Sequence, residues 1–218
     1  MKNKSIKIFS AVLLVIVGIL GSLYYVTAKQ DFYGQFTHIK ANDLFNQKEE
    51  EYQVYYYMKD CGDCMAIKEN FESYISNNKD MPIYLVDMNK KSNKHAWYDW
   101  KDHHSKYDKE IGEVDSSGKE VFYDGESRGK YEKLDKVNKS GFKEEYEIVI
   151  ANKDYLHQNK NASINKIYAQ SNAPILETDT TDVNKIEIAG VPTLIHVKGN
   201  QIEGYYYDKE VGEYFKKN

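Results

Sequence analysis

The chain's two cysteines stand three apart, as Cys61-Gly62-Asp63-Cys64, after an aromatic, strand-like run at 53–58 and at the start of a helical pattern. On the first turn of a helix, residues i and i+3 share a face. Their Cα atoms then fall within the roughly 4.4–6.8 Å that a disulfide tolerates, so the bond can form and break with little backbone motion. That placement points to redox chemistry, and two other uses stand beside it. A stabilising staple across so short a loop contributes only about 2 kcal/mol, against about 3 for a loop of 15 residues. A structural zinc wants four nitrogen or sulfur ligands. No second CxxC exists, and His38, His95, His103, His104, His157 and His196 do not fall at a ligand spacing tied to the pair. No metal and no separate cofactor is therefore expected; the redox group is the Cys61/Cys64 pair itself.

Periodicity predicts the elements that must hold these thiols. Residues 52–58 are β-branched and aromatic without strict alternation, as in a strand buried on both faces. Cys64, Ile67, Phe71, Tyr74 and Ile75 recur at helical spacing, predicting a helix to about Ser76. Residues 82–88 read as another buried strand. The result is a β-α-β unit with the thiols at the C-terminal edge of a strand, where open α/β sheets place their chemistry. Ahead of it, 37–50 predicts a short amphipathic helix with Thr37 as cap and Ile39, Leu44 and Phe45 as apolar positions.

Late in the chain, Thr180 or Thr181 is expected to cap a short helix through Ile186. Then come Ala189-Gly190-Val191-Pro192-Thr193, a strand at 194–197, a Gly199-Asn200 turn and a strand at 201–207, which together make a hairpin. Asp208 is expected to cap a final helix with Val211, Tyr214 and Phe215 inward. Between the halves, 94–107 reads as a helix rich in aromatics and histidine. Residues 109–114 and 119–123 read as a hairpin around Asp115-Ser116-Ser117-Gly118, and 145–151 as a strand. The polar stretches 124–143 and 158–165 read as mobile connections. Adjacent helical residues point about 100° apart, so His103 and His104 make a poor metal pair and are expected to be solvated. His196 is expected to pack on a strand face.

With 218 residues, 41% of them hydrophobic and 29% charged, the chain has room for one sizeable core or one core plus an elaboration. Lys2, Lys4 and Lys7 precede an uncharged stretch at 8–26, whose 19 residues at about 1.5 Å each approach the roughly 30 Å of a bilayer's hydrocarbon. Residues 1–28 are thus expected to be a cytoplasmic N-terminus and single-pass anchor, with everything after about Lys29 on the outer face of the cell membrane. A cleaved signal peptide with a site at Val26-Thr27-Ala28, giving a secreted protein, is the alternative; the stretch exceeds the usual apolar region of about 7–15 residues. Either way the cysteines face a space where disulfides persist. Without those three lysines the formal net charge of -4 becomes -7, Arg128 is the only arginine, and lysines are mixed with acids throughout. That is a solvated surface, and it disfavours nucleic acid as a partner.

The ordered parts resemble the thioredoxin family: strand, CxxC at a helix start, helix, strand, then Val191-Pro192-Thr193 leading into a hairpin and terminal helix. The resemblance covers about 37–90 and 172–218, roughly half the chain. It implies an α/β, thioredoxin-like fold whose first half is 29–90 and second half 172–218, with a long insertion at 91–171. That position, though not its sequence, is similar to the insertion of bacterial periplasmic dithiol oxidases. The resemblance also implies that Pro192 is cis and lies opposite the sulfurs, and that Val191, Pro192 and Thr193 receive an extended substrate segment by strand addition. Cys61 would be the nucleophile and Cys64 the resolving thiol.

Three positions depart from the family pattern. Tyr55 stands where a buried acid is common, Asp60 replaces a tryptophan, and Gly62-Asp63 replaces Gly-Pro. The Asp60 and Asp63 carboxylates disfavour negative charge on Cys61, whereas the helix terminus and Lys59 favour it. Lys59, Asp60, Gly62 and Asp63 are accordingly the expected modulators, giving a poise nearer reducing than strongly oxidising. The implied activity is extracytoplasmic thiol-disulfide exchange on a protein or peptide, tending to reduction or isomerisation, with a membrane electron donor or acceptor as partner. Motif plus anchor also look like the thioredoxin-like accessory proteins found with bacteriocin export in Gram-positive bacteria. The rival reading is therefore a non-catalytic module that holds an exported peptide.

Overall fold

The computed structural model describes residues 32–218, and the anchor or signal segment expected at 1–28 lies outside the described residues. Among the described residues no helix is long and apolar enough to cross a membrane. Nine strands follow in chain order among them: β1 (Thr37–His38), β2 (Glu51–Tyr57), β3 (Ile83–Asp87), β4 (Lys109–Val114), β5 (Glu120–Phe122), β6 (Tyr146–Ile150), β7 (Lys166–Ser171), β8 (Thr193–Lys198) and β9 (Gln201–Tyr207). They build a five-stranded sheet of order β1-β3-β2-β8-β9 and a four-stranded sheet of order β5-β4-β7-β6.

The first sheet is mixed. β3 runs parallel to both β1 and β2, while β8 is antiparallel to β2 and to β9. β2 lies at its centre and is buried along almost its whole length, as its unbroken aromatic run predicts. Its side chains alternate between two cores. Tyr52, Val54 and Tyr56 pack with Leu44, Val86 and Ile195 on one face. Tyr55 and Tyr57 pack with Cys64, Phe71, Leu85, Leu194 and Phe215 on the other. Phenol groups buried in a core need partners: the Tyr52 hydroxyl donates to Leu44 O at 2.6 Å, and Tyr57 pairs with His38 Nε2 at 3.0 Å. With helices against the second face, this mixed α/β arrangement is consistent with the expected thioredoxin-like fold.

Several local expectations need correction. No helix spans 37–50. Thr37 and His38 pair with Tyr84 and Leu85 of β3, Ile39 N donates to Leu85 O at 2.9 Å, and only Ala41–Asp43 makes a 3₁₀ turn. An open strand edge beats a weak amphipathic pattern, because each pairing satisfies backbone groups that the helix would have left at its ends. The helix after the cysteines is two helices, α1 (Gly62–Ala66) and α2 (Lys68–Asn77), broken at Ile67 with φ -97 and ψ 3. Lys91–Ala96 is 3₁₀, and α3 is confined to Trp100–Tyr107 by the Asp99 cap, which accepts from Asp102 N at 2.9 Å. Asp182, and neither Thr180 nor Thr181, caps the 3₁₀ turn Val183–Lys185.

The second sheet contains the expected β4/β5 hairpin, whose turn is tied by Asp115 Oδ1 accepting from Ser117 N at 2.8 Å and Lys119 N at 3.0 Å. β6 was also expected. β7 was not, although it is the strand between β4 and β6 that completes the sheet. The stretches expected to be mobile carry structure. Helix α4 (Arg128–Glu132) lies in the first, and the second, after α5 (Lys153–Gln158), is fixed by Asn159 and Asn161 bonding the carbonyls of His104 and Ser105.

Asp208 precedes the terminal helix α6 (Lys209–Lys217) but makes no side-chain cap. Its backbone sits at φ 54, ψ -121, and its N–H donates to Pro192 O at 3.1 Å. An L-residue held there costs about 1–3 kcal/mol, against about 0.5–1 kcal/mol for the extra chain freedom of glycine. Asp208→Gly is expected to raise the unfolding free energy by about 1 kcal/mol in urea titrations; a fall would show that the carboxylate itself stabilises the turn.

Candidate active site

β2 delivers the chain into a turn at the C-terminal edge of the parallel strands, where Cys61 N donates to Met58 O at 3.3 Å. Cys61 is extended and caps α1: its sulfur accepts from Cys64 N at 3.2 Å. Its thiol donates to Val191 O at 3.3 Å. Cys61 is half-buried and Cys64 fully buried, and both are unbridged thiols. Burial first, and then the adjacent Cys61 sulfur, push the Cys64 thiol up to about 12, while the Met58 backbone and the Tyr55 hydroxyl pull the other way. The pair is thus unequal, with one sulfur at the surface and one behind it that needs help to ionise.

The structure brings Val191 to Cys61, 130 residues away in sequence. The Val191-Pro192 peptide is cis. Pro192 and Thr193 are buried below it, and Thr193 Oγ1 donates to Gly190 O at 2.8 Å, closing the loop before β8. The Tyr207 ring covers Gly190 so closely that an added Cβ would meet its Cε2 at 2.8 Å. Lys59, Asp60, Gly62 and Asp63 are exposed around the thiols. The Tyr207 hydroxyl is raised by burial and then by the charges of Asp208, Asp63 and Glu145.

The histidines differ from expectation. His103 and His104 are buried, not solvated. The 100° between them turns each toward its own partners. His103 Nε2 donates to Ser171 O at 3.1 Å and its Nδ1 accepts from Tyr98 OH at 2.7 Å; His104 reaches Asp108 Oδ1 at 3.1 Å and the Gln170 amide at 3.3 Å. Burial, and then His104, hold His103 below the ordinary imidazole value. His196 pairs with Glu51 at 3.0 Å, half-buried on β8. Among the described residues no group of three or more His, Cys, Asp or Glu is placed to hold a metal ion.

Two contributors to the site carry no motif. The Tyr33 hydroxyl donates to Cys64 O at 3.4 Å. Trp100 stacks on His104 with ring centres 5.6 Å apart, and its indole N–H donates to Ala189 O at 2.7 Å, two residues before Val191. Only a non-local fold brings Tyr33 to Cys64 and Trp100 to the loop before Val191; the aromatic density around 97–107 is the sole hint in the sequence.

No protein-family model and no curated protein matches the chain. Among solved structures, the crystal structure of Chlamydomonas reinhardtii thioredoxin f2 is similar, at 21% identity over 27% of this chain and 57% of that one, with a TM-score of 0.23. The match spans little more than half of that protein's length, and the fold described above rests on this chain's own strand order and pairing.

Proposed function

We propose that the chain exchanges thiols and disulfides with a protein or peptide substrate, through Cys61 as nucleophile and Cys64 as resolving thiol. One observation carries the reading. The half-exposed Cys61 sulfur is bonded at once to the Cys64 N–H and to the Val191 carbonyl, so a surface thiol, a second thiol behind it and a loop of backbone meet at one point. Cys61 thiolate attacks a substrate disulfide; that S–S bond breaks, a mixed disulfide forms, and the first substrate sulfur leaves and takes up a proton. Cys64 then attacks Cys61 Sγ, the second substrate sulfur leaves, and the pair ends oxidised. The reverse sequence oxidises a dithiol.

With Asp60 and Asp63 exposed beside Cys61, reduction or isomerisation is favoured over strong oxidation. We propose further, from the lysines and apolar run of residues 1–28 alone, that this chemistry faces outward from a membrane, where an electron donor or acceptor resets the pair. The test is reduction of a fluorescent oxidised peptide, with the protein recycled by dithiothreitol. The double variant Cys61→Ser/Cys64→Ser is expected to fall to the uncatalysed rate. An unchanged rate would overturn the proposal in favour of a peptide-holding module.

A further inference from the structure

The face of β2 that packs on Cys64 carries a buried hydroxyl that makes no hydrogen bond in the resting fold. Among the described residues, Tyr55 OH and Gln53 Oε1 are the buried side-chain oxygens without a hydrogen-bond partner. Gln53 at least uses its amide nitrogen, which donates to Tyr74 and Tyr214. Tyr55 is fully buried, between the rings of Tyr33, Phe71 and Phe215. An unmet buried hydroxyl carries a desolvation cost that phenylalanine would avoid, and buried groups of this kind call for a reason. The neighbours of the hydroxyl supply one: Tyr55 shares its buried core with Cys64 and with Tyr33, whose ring stacks on its own at 6.4 Å between centres.

We propose that Tyr55 serves the resolving step of the exchange, its O–H donating to the Cys64 sulfur as that sulfur becomes anionic. This rests on the exchange reading above. The hydroxyl is waiting for a charge that the resting thiol does not carry. When Cys64 gives up its proton and attacks Cys61 Sγ, the Cys61–Cys64 bond forms and the bond from Cys61 to the substrate sulfur breaks. The departing sulfur leaves with the electron pair and takes up the proton. Tyr55 keeps its own proton throughout, since burial, then Cys64 and Tyr33, push its hydroxyl upward from the ordinary phenol value. It acts as a donor, never as a base. A hydrogen bond to an ion is roughly twice as strong as one between neutral groups, so the contact favours the thiolate selectively. The titratable groups facing the buried sulfur are Cys61 on α1, Tyr55 on β2 and Tyr33 on the turn Phe32–Gln35, with Glu72 of α2 acting on Tyr33. The same core also holds Tyr57 of β2, Tyr74 of α2 and Tyr206 of β9, and α6 presents Val211, Tyr214 and Phe215 to it.

Ellman's reagent separates the two steps. Its first thionitrobenzoate is released as Cys61 forms the mixed disulfide, and its second as Cys64 resolves it. Tyr55→Phe removes only an unpaired hydroxyl from the core, so the variant is expected to fold with undiminished stability. The first release should be unchanged. The second should slow about tenfold at neutral pH, with its pH midpoint raised by about one pH unit. In a Cys61→Ser background, the ultraviolet thiolate titration of Cys64 should move upward in the same way. A second release and a Cys64 titration within twofold and a few tenths of a pH unit of the parent would overturn the role of Tyr55 while leaving exchange intact. Absence of any second release from the unmodified protein would overturn the exchange reading and this proposal with it.

Discussion

Replacing Cys64 with alanine is expected to turn a fleeting mixed disulfide into one that survives isolation. The chain has two cysteines, so once Cys64 is gone no thiol of its own can attack the Cys61–substrate bond. Resolution then depends on external thiols at about millimolar, whereas a well-oriented internal group acts with an effective molarity on the order of 10⁵ M or more. Even a poorly aligned Cys64 leaves a margin of roughly 10³-fold in adduct lifetime. The position of Cys64 N–H against Cys61 Sγ at 3.2 Å shows how near the two residues lie. Non-reducing electrophoresis of cell extracts, followed by mass spectrometry of the retained species, measures the effect and names the substrate. An adduct that vanishes as quickly as with the parent protein would mean that Cys64 does not resolve it.

The second large effect is on stability. Asp108→Ala is expected to lower the unfolding free energy by about 3–5 kcal/mol, since several buried donors lose their shared acceptor at about 1–3 kcal/mol each. The Asp108 side chain is wholly inaccessible. It accepts from His104 Nδ1 at 3.1 Å, Tyr155 OH at 2.5 Å, Asn159 Nδ2 at 3.4 Å and Ser171 N at 2.8 Å. One carboxylate thus joins the end of α3 to α5 and β7. Alanine leaves these donors facing an empty pocket, and each unmet buried donor costs about 1–3 kcal/mol. Urea denaturation followed by circular dichroism gives the value; a loss below about 1 kcal/mol would show that water replaces the carboxylate.

How much of this was legible follows the range of the forces involved. β2, β3 and the late hairpin were readable because their apolar runs are dense enough to fix burial without knowledge of partners. The CxxC and Val191-Pro192 were readable as motifs, and they do meet. Thr37 was misread because strand pairing with β3 is decided by a neighbour 47 residues away. β7, Lys-Ile-Tyr-Ala-Gln-Ser, does not stand out from the polar stretch before it, because its buried face is Ile167, Ala169 and the polar Ser171, too little apolar pattern to mark a strand. His103 and His104 look solvated on a charged helix. Their burial comes with β7, whose Ser171 bonds His103 from 68 residues away and whose Gln170 bonds His104 from 66, beyond any local window.

Trp100 has a last consequence. Its indole grips the carbonyl of Ala189, while Ala96 O and Tyr98 N bond the two sides of Ile188. The segment at 96–100 therefore works as a splint along the loop that ends at Val191. A shortened chain lacking 91–171, built to isolate the thiol-bearing half, would lose that splint. Failure of that shortened chain in the proposed exchange assay would then report a slackened scaffold rather than missing thiols.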